Sequence, residues 1–314
     1  MSCKKTDDLK SIVIVGGGGV GLHLARALSP KINSATHHII LINPRPYRIN
    51  LPATLRLETA FIPFDKLFVN GNGTFIEPSV TSVQKSDSKG GSVTLDNGES
   101  VAFEYLVLAS RSIFEGPLNF PNKKEDVLLF VNGIRQQIEG ANDIVFAGGG
   151  SVGLDIYPNK NITIVQGSDH LLNDTYPLKF RTYAEKNVKK RSIKVVLGDF
   201  TSIKTRSGKS ITADTVFQTR GGRPHTEFIK SLGPDLLTDG GQVKFRPTLQ
   251  LASYDNIFAG GDILDIKEEK QVAKALGHVQ ILTANILASI SNKPLKPYNG
   301  STEMILITNG SDSY

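Results

Sequence analysis

The stretch Ser11-Ile12-Val13-Ile14-Val15-Gly16-Gly17-Gly18-Gly19-Val20-Gly21-Leu22-His23-Leu24-Ala25-Arg26-Ala27-Leu28 decides the fold. Its opening residues form a short apolar, β-rich run, which reads as a buried strand. Its last seven carry apolar residues at helical spacing. Between them Gly16, Gly18 and Gly21 stand at Gly-x-Gly-x-x-Gly spacing. In such a turn the first glycine permits the reversal, the second lets the backbone approach a pyrophosphate, and the third lets helix and strand pack closely. The anion then sits at the helix N-terminus, where free N–H groups and the helix dipole favour it. Gly17, Gly19 and Val20 complete the amide-lined turn, so residues 16–21 together are candidate positions for a dinucleotide.

Outward from this turn, Ile39-Ile40-Leu41-Ile42 supplies the next strand and completes a βαβ unit with a parallel sheet. An acid usually follows that strand to bind the ribose hydroxyls of the adenosine. Here the position is Asn43, whose amide can still hydrogen-bond a hydroxyl without the charge assistance of a carboxylate.

The pattern returns 132 residues later. Asp143-Ile144-Val145-Phe146-Ala147 leads into Gly148-Gly149-Gly150-Ser151-Val152-Gly153, and Ile162-Thr163-Ile164-Val165 forms the following strand. Gly148, Gly150 and Gly153 are therefore a second set of candidate nucleotide-binding positions. This is a repeated architecture and not a tandem repeat, because the intervening segments do not resemble each other. The first crossover runs 23 residues from Gly16 to His38, the second only 14 from Gly148 to Asn161. Tyr157-Pro158 interrupts the second one. A parallel crossover needs about a dozen residues, so this one is expected barely to close, around one or two helical turns. Gln166 stands where an acid would select NAD, and no arginine adjoins it for a 2′-phosphate, which leaves NADH and NADPH both open.

Between and after these units, Asp96-Asn97-Gly98 signals a hairpin, Tyr105-Leu106-Val107-Leu108-Ala109 a buried strand, and Asn256-Ile257-Phe258-Ala259-Gly260-Gly261-Asp262 a strand followed by a turn. Val272, Leu276, Val279, Leu282, Ile286 and Ile290 then recur at helical spacing.

A length of 314 residues suits about two domains, and 39% hydrophobic with 21% charged residues is a globular composition. The net charge of +6 and pI near 9.2 bear on association, not on fold. The densest basic run, Lys186 to Lys194, has no aromatic interleaving and reads as a solvated helix end, so no nucleic-acid partner is expected. Cys3 is the only cysteine, which rules out an intramolecular disulfide, argues for an intracellular protein and excludes flavoproteins that work through a dithiol. The N-terminal residues lack a signal peptide's apolar core, a transit-peptide composition and a glycine after Met1, and no apolar run is long enough to span a bilayer. The six histidines, His37, His38 and His278 among them, show no metal spacing, so no metal site is expected. His278, set among apolar helix positions, reads as structural. No nucleophile with a positioned base is evident and no catalytic side chain is assigned, as suits a protein whose cofactor carries the chemistry.

Taken together, the segments resemble the apoptosis-inducing-factor-like, ferroptosis-suppressor-type NAD(P)H:quinone oxidoreductases, fungal members in particular. The likeness runs from about residue 10 to residue 308. Besides the glycine motifs it is carried by Asn50-Leu51-Pro52-Ala53-Thr54-Leu55-Arg56, Phe103-Glu104-Tyr105-Leu106-Val107-Leu108-Ala109-Ser110, residues 221–226 with Pro224, and Pro247-Thr248-Leu249-Gln250 leading to Gly261-Asp262. The resemblance implies an α/β protein with two Rossmann-like domains of the pyridine nucleotide-disulfide reductase type, the C-terminal domain shortened. A discontinuous FAD-binding domain would comprise residues 1–117 and 236–290, an NAD(P)H-binding domain residues 118–235, and a C-terminal remnant residues 291–314. It implies that Asp262 accepts hydrogen bonds from the ribityl chain, that Arg56 contacts FAD, that the backbone of Val80 meets the adenine, and that Ser110 lies in a turn beside the FAD. The family's Ala-Thr-Gly-Ser turn is Ala109-Ser110-Arg111-Ser112 here, and Arg111 in place of glycine adds bulk and demands a different backbone angle.

The expected function is transfer of hydride from NAD(P)H to FAD, with electrons passing to a quinone-like acceptor or oxygen. The alternative is an FAD-binding protein with little turnover that acts as a stress or cell-death signalling module. The expected location is the cytoplasm, with peripheral attachment to membranes, lipid droplets or mitochondria as a variant. Oligomeric state is left open.

Overall fold

The computed structural model describes residues 9–50, 61–86, 90–150, 160–198 and 211–303. The chain divides into two compact units, Met1–Ser112 with Arg223–Ser301 and Ile113–Gly222 with Thr302–Tyr314.

The first unit is built on β1 (Lys10–Val15), α1 (Gly19–Leu28) and β2 (His37–Ile42), the βαβ element expected from the opening stretch. After the short antiparallel pair β3 (Tyr47–Ile49) and β4 (Phe61–Pro63) comes β5 (Gly73–Ile76), and β9 (Tyr105–Leu108) and β16 (Ile257–Ala259) complete the sheet. Its order is β16-β9-β1-β2-β5, with every pairing parallel. Ile12, Val13 and Ile14 are fully buried in it, which explains an apolar run without polar alternation. Each such side chain contributes roughly 1.5–3 kcal/mol of burial. Helix α1 lies against α4 (Val272–Ile290), which buries Val279, Leu282 and Ile286 while Val272 and Leu276 remain exposed at 54% and 58%. The antiparallel sheet β6 (Val80–Lys85), β7 (Gly91–Leu95) and β8 (Ser100–Phe103) contains the expected hairpin, with Gly98 at φ +85° in its turn.

The second unit holds α2 (Lys124–Gly140), β11 (Asp143–Ala147), β12 (Asn161–Gln166), α3 (Leu178–Lys190), β13 (Lys194–Leu197) and β14 (Thr215–Gln218). Its sheet order is β13-β12-β11-β14, again parallel throughout. The short crossover does close, since Asp143 to Ala147 pair in register with Asn161 to Val165. The helical turns expected within it, and Gly153, fall at 151–159, outside the described residues. The basic run from Lys186 is the solvated end of α3. Ala184 and Val188 face inward, while Lys189 and Lys190 in the last turn complement the helix dipole.

The chain leaves and re-enters the first unit around the two-residue strands β10 (Ser112–Ile113) and β15 (Arg223–Pro224). The contact division thus falls at Ser112 and Arg223, whereas the sequence reading placed the boundaries after 117 and before 236. The earlier return has a clear cause. Phe228 and Ile229 are buried in the core of the first unit, and the Ser231 hydroxyl donates to Val83 O while accepting from Val83 N–H, both at 2.8 Å. Residues 291–301, read from sequence as part of a C-terminal remnant, also group with the first unit. There Asn285 on α4 accepts from Lys296 N–H and donates to Lys296 O, each at 2.8 Å.

Candidate functional site

The carboxyl ends of β1, β2 and β9 open onto a cleft lined by Val15, Gly16–Gly18, Ile42–Pro44, Pro78–Val80, Ala109–Arg111, His225 and Phe228. β1 lies between β2 and β9, so this is the point where successive connections from the central strand run in opposite directions. Open α/β sheets bind their ligands at such points.

The glycine turn takes its shape from close backbone contacts. Gly16 has φ +104°, and a Cβ there would lie 2.2 Å from Ala109 O. A Cβ on Gly21 would lie 1.8 Å from Gly16 O, so helix and strand can pack this closely only without a side chain. Gly18 differs, because a Cβ there would meet nothing within 4 Å. Protein packing does not require glycine at that position, and the space it leaves is available to a ligand. Gly19, Val20 and Gly21 form the first turn of α1, with Val20 and Gly21 buried.

Asn43 holds the turn in place. Its Oδ1 accepts the Gly17 N–H at 2.9 Å and its Nδ2 donates to Arg45 O at 2.8 Å. The sequence reading gave Asn43 only a ribose-binding role. The structure makes it first a latch, with its oxygen turned to the glycine loop and one acceptor lone pair remaining. Val80 lines the cleft at an irregularity in the pairing of β6 with β7. Ser110 lines it too, but its hydroxyl donates to His225 O at 2.6 Å. Arg56 lies outside the described residues.

Asp262 sits in the turn after β16, behind Gly261 at φ +82°. It is not among the residues lining the cleft. Its Oδ2 accepts from the Ser112 hydroxyl at 3.2 Å. Burial raises its pKa, opposed by Ser112 and the positive charge of Lys270. On α4 behind it, His278 Nδ1 accepts the Gly261 N–H at 3.1 Å, so its proton is on Nε2, 3.8 Å from Glu268 Oε2. The ring packs edge-on to Tyr298 at 4.6 Å, and burial lowers its pKa to about 4. His278 is therefore a neutral strut under the Asp262 turn, as its setting among apolar positions suggested.

Sequence reasoning missed Arg45 and assigned no role to Arg111. Arg45 is 8% exposed, and Arg111 stands in the cleft itself at φ +62°. Solvent reaches Arg111, yet surrounding protein desolvates it enough to lower its pKa. No carboxylate partners either guanidinium among the described residues, and no acid lines the cleft. The available signal was an arginine two positions past Asn43 and another in a slot where the resemblance implies glycine.

In the second unit Gly148 has φ +133°, and a Cβ there would come 2.7 Å from Thr219 O. At Gly150 the nearest atom would be Thr219 O at 4.0 Å. The Gly149 N–H donates to Gln166 Oε1 at 2.8 Å, and Gln166 Nε2 donates to Ser168 Oγ at 2.8 Å. Gln166, which stands where an acid would select NAD, is thus the counterpart of the Asn43 latch. No grouping of His, Cys, Asp and Glu able to hold a metal occurs among the described residues.

These sites fit dinucleotides. Each has an anion-ready turn with open space at its middle glycine, and the lining of the first adds Arg111 and no acid. Residues 10–279 match the model of the pyridine nucleotide-disulphide oxidoreductase family. An FAD-dependent oxidoreductase of Flammulina velutipes is 45% identical over 270 residues, covering 81% of this chain and 84% of that protein. The apoptosis-inducing factor homolog A of Dictyostelium discoideum is 30% identical over 332 residues, covering 90% of this chain and 78% of that protein. The crystal structure of the sulfide:quinone oxidoreductase of Aquifex aeolicus shares the fold at TM-score 0.71 and 18% identity, covering 91% of this chain and 78% of that one. With the repeated parallel sheets and glycine turns, these matches show that the chain belongs to the pyridine nucleotide-disulphide oxidoreductase family, alongside apoptosis-inducing-factor-like relatives.

Proposed function

We propose that this oxidoreductase holds FAD in the cleft of its first unit, takes NAD(P)H at the Gly148–Gly150 turn of its second, and passes electrons to a quinone-like acceptor or to oxygen. When bound, the flavin supplies the redox chemistry by accepting hydride from NAD(P)H and releasing electrons to the acceptor. The observation that carries the reading is Gly18, a glycine that packing does not need, facing an acid-free cleft that contains Arg111.

The residues of the chain bind and orient. Backbone N–H groups at the start of α1 face the diphosphate, and the Asn43 latch fixes their directions. Val80 borders the adenine end of the cleft. Asp262, partly desolvated and tied to Ser112, offers a carboxylate oxygen to the ribityl hydroxyls. Neutral His278 holds the Gly261–Asp262 turn without adding charge beside that carboxylate.

A quinone-like acceptor resides in lipid, so the reading includes peripheral membrane association from the cytoplasmic side, which the net charge of +6 would favour at an anionic surface. No helix among the described residues is long and apolar enough to cross a membrane. The test is anaerobic stopped-flow absorbance on the flavin-loaded protein. The flavin band should bleach with NADH or NADPH and recover when a soluble quinone is added. Flavin-loaded protein that neither nucleotide bleaches would overturn the enzymatic reading.

A further inference from the structure

We propose that Arg111 in the first cleft, supported by the charge of buried Arg45, forms a cationic clamp on the diphosphate of the dinucleotide. The proposal rests on the FAD reading above and assigns charge recognition to two side chains that no motif marks.

Three observations converge. Arg111 adopts φ +62°, a left-handed conformation that is strained for a residue bearing a Cβ. Such strain persists when something else compensates for it, and it concentrates at ligand-binding positions. Arg45 is 8% exposed with no acid partner among the described residues, although buried charges ordinarily require one. The third observation is the lining, in which Arg111 joins Gly16–Gly18, the residues that lead into α1, with no aspartate or glutamate among them. Arg111 therefore brings uncompensated positive charge to the cleft beside the turn that leads into α1. A diphosphate is the anion of matching size at this turn, and guanidinium forks bind phosphate oxygens in a bidentate manner.

The electrostatics agree. The pKa of Arg45 falls to about 10, through burial first and then through the charge of Arg111. The charge of Arg111 raises the cost of keeping Arg45 charged, and a bound diphosphate would offset that cost. Arg111 is also held in place by its own backbone, its carbonyl accepting from His225 N–H at 3.0 Å.

The test uses the full chain, stripped of flavin, as wild type, R111G, R111N and R111K. FAD, ADP and adenosine are titrated calorimetrically, and melting temperatures are taken without ligand. Glycine and asparagine tolerate the backbone angle, so R111G and R111N should melt higher than wild type while binding FAD and ADP at least about tenfold more weakly. Adenosine affinity should not change, and R111K should recover part of the FAD and ADP loss. Higher stability with weaker binding is a pair of opposite effects that a merely structural arginine would not produce. Two results would overturn the clamp: FAD and ADP binding as tight in R111G as in wild type, or an equal loss for adenosine. Wild type that binds ADP but refuses FAD would keep the clamp and sink the flavin reading. Folded wild type that binds neither would sink both.

Discussion

The two nucleotide turns share a backbone and differ in charge. In each, the first glycine lies against the carbonyl after the neighbouring strand β9 or β14, the second donates to an amide at the end of the strand β2 or β12, and the middle of the turn is open. Two residues past that amide the units diverge. The first has buried Arg45, while the second has Ser168, whose hydroxyl accepts from Gln166. Three residues past β9 the first has Arg111 in a left-handed conformation, whereas three past β14 the second has Gly221, preceded by Arg220 and by Thr219, whose hydroxyl donates to Gly148 O at 2.7 Å. The fold repeats the geometry of anion binding, and individual side chains decide how much charge each copy brings.

The largest test of the shared half is Gly16→Ala beside Gly148→Ala. Either methyl would strike a backbone carbonyl, at 2.2 and 2.7 Å respectively, on a backbone of positive φ. Each variant should lose about 3 kcal/mol or more of stability in its own unit, read by urea unfolding. A loss below about 1 kcal/mol in either would break the parallel.

Acid should separate the units next. His278 is held neutral in the folded state, with its pKa lowered to about 4 from an ordinary 6.5. The unfolded chain therefore binds this proton first as pH falls. Stability is complete above about 6.5 and drains away down to about 4, by about 3 kcal/mol at full extent. In the second unit Asp214 accepts the backbone N–H groups of Asp143 and Asn142, which hold its pKa below the usual value, so its contribution is lost only at more acidic pH. Hydrogen exchange between pH 7 and 4.5 should show β1 losing protection before β11, and His278→Gln should flatten that difference.

A subtler pair is Gly18→Ala and Gly150→Ala. Both positions face open space, so each variant should retain stability within about 0.5 kcal/mol. Gly18→Ala should weaken FAD and leave NAD(P)H alone, and Gly150→Ala should do the reverse. The smallest effect is expected at the latches. Asn43→Ala and Gln166→Ala each remove one bond to a glycine N–H, at a cost of about 1 kcal/mol by thermal melt.

The strands of both units were legible because continuous apolar runs such as Ile12–Val15 and Ile144–Ala147 occur only where a sheet is covered on both faces. The hairpin at Asn97-Gly98 was legible because its turn requires positive φ. The latches were not, since Asn43 finds Gly17 across 26 residues and only the folded sheet brings them together. The early return at Arg223 was hidden for a similar reason, because Ser231 meets Val83 across 148 residues. Arg111 was visible as an oddity, but its left-handed backbone and its place in the cleft emerged only in three dimensions.

The most direct measurement is a titration of FAD into the flavin-free full chain, following flavin fluorescence and the melting temperature together. A saturable, single-site quench with a rise in melting temperature that tracks occupancy is the result this account predicts. A cooperatively melting protein whose flavin signal and melting temperature stay unmoved at saturating FAD would contradict it.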